Sequence, residues 1–337
     1  MNSMPFIPYA LNLYDARYTA QEISYHTWYN GRRMLLSFQR FCSDALCRND
    51  VAIADIDVGL LQKYRRYCLE VKKNRPLTVN RKIAPVIQAL SYAKDEGLIS
   101  PGAMEALRKA YCQTTPHRYG SEAEKLRNTE GGGPVRHLDD YQLHRLQDYH
   151  RSLPESAERD ALDLFFFSFH ACGLRVSDIV TLEWSQVDME EALLSKVMVK
   201  SKTWLSIPLT PPALAILGRW MRRRPDGRFV FGLLPDRFDL GADAVLSRAI
   251  DNRNRTLFRR LSGIGRKLDF PLPLGMHVAR HSFAVKALNS ARMDIHVVSR
   301  LMGHSSVVVT EKVYAKFLLP TLSRELNERL SFPEFSI

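Results

Sequence analysis

The 337-residue chain carries 48 Lys and Arg against 36 Asp and Glu, a formal net charge of +12, and its pI is about 9.5. Hydrophobic residues make up 45% and the mean hydropathy is −0.22, which excludes wholesale disorder and leaves material for two ordinary domains. The basic balance fits a polyanion-binding surface, although a merely solvated basic surface has the same composition.

The five cysteines, Cys42, Cys47, Cys68, Cys112 and Cys172, are scattered, odd in number and without a CxxC pair. That pattern argues against a disulfide scaffold or a zinc site and for a reducing compartment. No apolar run reaches the roughly 18 residues of a membrane span, and no charged-then-apolar signal segment opens the chain. The expected location is the cytoplasm, with no membrane partner.

In chain order, residues 27–40 (TWYNGRRMLLSFQR) place Trp28, Met34, Leu35 and Phe38 at helical spacing, with Arg32, Arg33 and Arg40 available to other faces. A second helix is predicted through DVGLLQKYRRYCLEVKK with Asp57 as its N-cap. Two more follow in TVNRKIAPVIQALSYAKDEG and PGAMEALRKAY, punctuated by Gly97 and Pro101-Gly102. These elements predict a small, basic, helical first domain over residues 17–112. Apolar periodicity then stops, and the stretch over residues 113–134, which holds three consecutive glycines, reads as a linker.

Residues 135–337 form the second predicted domain. DDYQLHRLQDYHRSL and ERDALDLFFFSFHACG read as helices, the second apolar enough to be buried. ALLSKVMVK and WLSIPLT read as strands of a β-hairpin around residues 201–203. PPALAILGRWMRRR returns to helix with proline at its start. Further helices are predicted around residues 245–268, in SFAVKALNSA, in DIHVVSRLMG and after Tyr314. The fold class is mainly α with a small β-sheet.

Five short segments carry candidate chemistry: Arg175 in GLRVSD, Lys202 in KSKTW, His277 and Arg280 in HVARHSF, His304 in LMGHSS, and Tyr314 in EKVYAK. A phosphodiester is shielded from nucleophiles by its own charge, and paired guanidiniums answer that charge with a bidentate geometry lysine cannot copy. Arg175 follows a Gly-Leu turn after a buried helix, where a lone cation needs an anionic partner. A salt bridge to Asp178 or Glu183 is the purely structural alternative.

His277 and Arg280, three apart, share a face if their segment is helical, although HxxR pairs are also common on solvated helices. His281 is expected to point elsewhere, in a packing or capping role. Gly303 reads as the left-handed residue that stops a helix, which sets His304 at its end, where a histidine is also a simple dipole partner. Tyr314 is a poor nucleophile unless hydrogen bonds and nearby cations favour its phenolate, and a helical tyrosine is usually core. Lys202 is predicted in the hairpin turn, where its long side chain can protonate a leaving oxygen. Lys200, two residues earlier, competes for that role.

Taken together, the ordered set resembles the tyrosine recombinases of the phage integrase family, to which the Xer and Cre proteins belong. GLRVSDIVTLEWSQVD resembles the family's first arginine box, HVARHSF its HxxR box, and LMGHSS with VYAK its histidine and nucleophile box. The likeness covers residues 136–317 as a mixed α/β catalytic domain and residues 19–111 as a core-binding, SAM-like helical domain. It implies attack by Tyr314 on DNA to form a 3′-phosphotyrosyl link, with Arg175, Arg280 and His304 holding the charge, Lys202 protonating the leaving oxygen and His277 assisting proton transfer. Asp178 would support Arg175.

The resemblance further implies no cofactor, metal or ATP, double-stranded DNA at specific sites as partner, a nucleoid location, a tetrameric synapse and possible accessory DNA-bending proteins. A clamp of the two domains around the duplex is expected. So is a tail, with Leu318, Leu319, Leu322 and Leu326, that either passes to a neighbouring protomer or folds back. With about sixteen residues before the first helical segment, no additional arm-binding domain is expected. Two alternatives share the motifs: a type IB topoisomerase-like relaxing activity, and a DNA-binding protein that has lost catalysis.

Overall fold

Phe6, Ile7, Ala10 and Tyr14 recur at helical spacing and are all buried. They belong to a first helix, α1 (Phe6–Thr19), that lies ahead of the predicted start of the first domain at residue 17. Its neighbours Leu11 and Leu13 are half-buried, so its apolar residues surround the helix instead of forming the single stripe that periodicity detects. This computed structural model describes residues 4–113 and 136–314. The chain divides into two compact units, Met1–Gly131 and Gly132–Ile337. Most of the stretch read as a linker, and the whole tail after Tyr314, lie outside the described residues.

In the first unit α1 packs on α2 (Tyr25–Leu46), whose start is capped by Ser24 accepting from the Thr27 N–H. The two helices approach so closely that a Cβ on Gly31 would lie 2.0 Å from Tyr14 Cε1, which only glycine permits. Helix α3 (Val58–Arg66) begins as expected, with the Asp57 carboxylate accepting from the Leu60 N–H at 2.7 Å. A π-helical turn (Tyr67–Val71) continues it. Helices α4 (Pro76–Asp95) and α5 (Pro101–Gln113) complete the unit, with prolines in their first turns, where no N–H partner is lost. Phe38, Phe41, Tyr64, Val86 and Leu90 fill the core between them.

The second unit is built around α7 (Ala157–His170), which buries Ala161, Leu162, Leu164, Phe165 and Phe167 against its neighbours. Helix α6 (Asp140–Ser152) precedes it, opened by a capping box between Asp139 and Gln142. The fully buried carboxylate of Asp163 is held by His150 Nε2 at 2.6 Å, by the Trp220 Nε1–H at 3.0 Å and by Arg219. A five-residue helix, α8 (Val176–Val180), then leads into an antiparallel sheet in the order β1 (Val187–Asp188), β2 (Leu193–Val197) and β3 (Trp204–Pro208).

The expected hairpin is present as β2 and β3, and the short β1 adds a strand to it. Strand β2 ends at Val197, so both Lys200 and Lys202 lie in the connection. Helices α9 (Pro211–Arg223), α10 (Asp243–Lys267), α11 (Met276–Asn289), α12 (Ile295–Leu301) and α13 (Val307–Tyr314) follow. The architecture is mainly helical with one small sheet. Among the described residues no helix is long and apolar enough to cross a membrane.

Candidate active site

The site begins where α7 ends. Cys172 (φ 54°) and Gly173 (φ +73°) are both left-handed, and this pair reverses the chain so that Arg175 opens α8. The turn is pinned by the Gly173 N–H donating to Ser168 O and by Ser168 Oγ donating to Leu174 O, each at 2.8 Å. A Cβ on Gly173 would stand 3.1 Å from Arg280 Cγ and 3.3 Å from Phe283 Cδ1, so α11 packs directly onto this backbone.

Arg280, buried on α11, donates through Nη1 to Gly173 O and through Nη2 to Met302 O at 2.9 Å. The same Nη2 donates to His304 Nε2 at 2.8 Å. Arg175 Nη1 donates to Gly303 O at 3.4 Å. Gly303 (φ +64°) ends the α12 segment in the left-handed conformation expected of it. Both guanidiniums are thus held by carbonyls exposed at a helix C-terminus, which favours cations.

His304 has its tautomer fixed by its partners. Nε2 accepts from Arg280, so Nδ1 carries the proton and donates to Thr310 Oγ1 at 2.7 Å. Burial, followed by the charges of Arg280 and Arg175, pushes its pKa down to about 4. Burial and then Arg175 likewise push Arg280 down to about 10, and burial lowers Arg175.

The structural alternative for Arg175 finds its two acids engaged elsewhere. Glu183 pairs with Arg228 at 2.6 Å, and the fully buried Asp178 carboxylate accepts from the Val199 N–H at 2.7 Å. Burial raises the pKa of Asp178, while Lys196, the Val199 N–H, Arg175 and Arg280 oppose that rise. Among the described residues neither Arg175 nor Arg280 forms an ion pair. Two guanidiniums facing one already-bonded carboxylate leave an excess of positive charge, the electrostatic demand an incoming anion satisfies.

Asp178 also fixes the hairpin. Lys196, 2% exposed on β2, donates from Nζ to Asp178 O at 2.9 Å and to Thr181 Oγ1 at 3.0 Å. Burial brings its pKa down to about 8. Val199 is tied to the Asp178 carboxylate, and the next residue is Lys200. Its charge reaches both His277 and His304. Lys202, left-handed at φ 54°, has no such influence on either histidine. The structure therefore brings Lys200, rather than the expected Lys202, to the cluster. Both lysines lie in the turn, and what separates them is the bond from the Val199 N–H to Asp178, which anchors the residue directly before Lys200.

Tyr314, the last residue of α13, is 2% exposed and its hydroxyl lies 2.6 Å from His281 Nδ1. Burial pushes its pKa up to about 12, while Arg280 and Arg175 pull the other way. The expectation that His281 only packs or caps is overturned by this contact. His281 lies four residues after His277, one turn along the same face of α11, and their rings are 6.2 Å apart. That spacing was the available signal. His277 is exposed, and desolvation by surrounding protein followed by Arg280, Lys200 and Arg175 lowers its pKa. Among the described residues no cluster of three metal-ligating side chains occurs.

The fold and this cluster define a class. The sequence model of the phage integrase family matches residues 136–318, and that of the phage integrase SAM-like domain matches residues 5–109. The chain belongs to the phage integrase family. Among its relatives, tyrosine recombinase XerD of Pseudomonas putida is 33% identical over 144 residues, covering 42% of this chain and 45% of that protein. Tyrosine recombinase XerA of Pyrococcus furiosus is 27% identical over 253 residues, covering 72% of this chain and 74% of that one.

Solved structures share the fold at low identity. The Tn1549 transposon integrase in complex with transposon right end DNA gives a TM-score of 0.67 at 15% identity, covering 96% of this chain and 99% of that one. A lambda integrase dimer bound to a core site gives 0.58 at 16%, covering 91% and 97%.

Proposed function

We propose that this protein is a site-specific tyrosine recombinase that cleaves and rejoins DNA without metal or ATP. Tyr314 Oη attacks the scissile phosphorus, an Oη–P bond forms, the P–O5′ bond breaks, and the strand is held as a 3′-phosphotyrosyl ester. Lys200 Nζ gives its proton to O5′. Arg175 and Arg280 hold the non-bridging oxygens, and His277 assists proton transfer at the exposed side. The ester conserves the energy of the broken bond, so rejoining by a 5′-hydroxyl of a partner strand is the same step in reverse.

The observation that carries this reading is the meeting of two guanidiniums, neither in an ion pair, with a buried tyrosine on one side and a lysine-bearing turn on the other. Arg280 spends three hydrogen bonds on Gly173, Met302 and His304 and still has donors for a phosphate. His304 is neutral in the free protein, held so by burial and then by the neighbouring cations. A phosphate between it and the arginines offsets those charges, raises its pKa and lets Nε2 take a proton and donate to a phosphate oxygen.

Double-stranded DNA at a particular site is the proposed partner, with affinity that falls steeply with salt. A tetramer assembled on DNA, with accessory bending proteins, is the proposed setting. The Tn1549 transposon integrase and the lambda integrase, both solved in complex with DNA, support the substrate class.

The test uses nicked duplexes made from DNA flanking the gene, incubated without metal and resolved on a denaturing protein gel. A covalent adduct that disappears in Tyr314→Phe is the expected result. Relaxation of supercoiled DNA by monomers, with no need for paired sites, would replace recombination by a topoisomerase-like activity. Tight binding with no adduct would replace it by DNA binding alone.

A further inference from the structure

We propose that His281 is a further catalytic residue, which aims the Tyr314 hydroxyl and takes its proton through Nδ1 as the phenol attacks. The inference rests on Tyr314 being the nucleophile. Its geometric basis is the 2.6 Å contact between His281 Nδ1 and Tyr314 Oη, which joins α11 to the last residue of α13 inside a buried corner. The ring centroids are 5.7 Å apart and the rings nearly edge-on, so the imidazole edge, where its lone pair lies, meets the hydroxyl.

A phenol removed from water to this degree cannot lose its proton to solvent. Burial has pushed its pKa up to about 12, which makes an internal acceptor necessary for attack near neutral pH. His281 is an available acceptor because burial, followed by His277, Arg280 and His137, lowers its pKa to about 4 and leaves its ring unprotonated. That same shift weakens it as a base, and a bound phosphate, by offsetting the neighbouring cations, restores its basicity. Among the described residues, the charged and titratable groups facing the pair are His277 and Arg280 on α11, His137 ahead of α6, Arg175 at the start of α8 and His304 ahead of α13.

In the step itself the Oη–H bond breaks and an Nδ1–H bond forms, while Oη–P forms and P–O5′ breaks with O5′ protonated by Lys200. The tautomer required has its resting proton on Nε2, leaving the Nδ1 lone pair toward Tyr314. The imidazolium so formed lies beside the phosphate's negative charge, which stabilises it. His277, one turn earlier, is exposed, with its ring 6.2 Å from that of His281. On rejoining, Nδ1 returns the proton to the departing phenolate. The two histidines therefore divide the work by depth: His281 touches the reacting oxygen and His277 faces the solvent.

The experiment uses the full chain and a flanking nicked duplex that gives an adduct with the wild-type protein, with Tyr314→Phe as the control. His281→Ala is expected to bind the duplex as the wild type does but to form the adduct about 10²-fold more slowly, the lower end of a proton-transfer contribution. Added imidazole, which fits the space vacated by the ring, is expected to restore the rate. His281→Asn, a second variant that keeps a hydrogen-bond acceptor near the Nδ1 position but cannot carry the proton, is expected to stay slow. Its rate should climb with pH where the wild-type rate is flat. A wild-type rate in His281→Ala, or a loss that imidazole leaves in place, overturns the inference while Tyr314 keeps its role. An adduct that survives in Tyr314→Phe removes both.

Discussion

Replacing Gly173 with alanine tests whether the turn after α7 positions Arg280. The residue sits at φ +73°, and a left-handed conformation costs an L-residue roughly 1–2 kcal/mol. The new Cβ would also press on Arg280 Cγ at 3.1 Å, Phe283 Cδ1 at 3.3 Å and Arg280 Cα at 3.4 Å. The last of these is helix backbone and cannot rotate away, so overpacking adds about 1–3 kcal/mol. The matched control is Gly97→Ala, at φ +76° with nothing within 4 Å of its Cβ, which carries the backbone term alone.

Gly173→Ala should therefore cost about 2–5 kcal/mol and lower the melting temperature by roughly 5–15 °C in a unit of this size, while Gly97→Ala costs only the first 1–2 kcal/mol. Displacing α11 also moves the guanidinium that bonds Gly173 O and Met302 O, and a misplacement near 1 Å slows a positioned reaction about 10²-fold. Thermal denaturation followed by circular dichroism gives the first number, and single-turnover adduct formation below the melting range gives the second. If Gly173→Ala is no more destabilised than Gly97→Ala and reacts at the wild-type rate, α11 does not depend on this turn.

His304 supplies a pH dependence with a definite sign. Its folded pKa of about 4 lies below its ordinary 6.5, so the unfolded chain takes up the proton first. The stability it contributes is full above pH 6.5 and falls by up to about 3 kcal/mol as pH drops to 4. The stability difference between wild type and His304→Asn, from urea midpoints, should shrink across that window, and a constant difference would contradict the lowered pKa of His304. Lys200→Ala should abolish cleavage of an ordinary phosphodiester and recover on a 5′-bridging phosphorothiolate, whose sulfur leaves without a proton. Lys202→Ala should cleave both, and the reverse pattern would return the role to Lys202. Asp163→Ala leaves Arg219 and the Trp220 N–H without their buried acceptor and should cost about 3–5 kcal/mol. A melting temperature equal to wild type would show that this network is dispensable.

Several elements were legible because their signal is local. The apolar periodicity of α2, α4 and α7, the Asp57 cap and the glycine stops at Gly97 and Gly303 each depend on a few neighbouring residues. Helix α1 was not, since its apolar residues spread around the cylinder and only packing against Gly31 and the core of α4 selects its buried face. Helix α8, with five residues, and strand β1, with two, are too short to repeat the 3.6-residue or two-residue period even twice. Lys200 and Lys202 are chemically equal in a sequence, and only the tie from Asp178 to Val199 brings one of them to the histidines.

By itself the sequence determined which side chains are available, in what order, and that two basic helical units carry them, because composition and short-range periodicity are properties of neighbouring residues. Tertiary structure decided which of those side chains meet. Arg175 and Arg280 are 105 positions apart in the chain, and they share a site because a left-handed turn and the end of α12 present carbonyls to both. His281 joins Tyr314 across 33 positions for the same reason: contacts between distant segments follow from how the helices pack, and no local pattern encodes that packing.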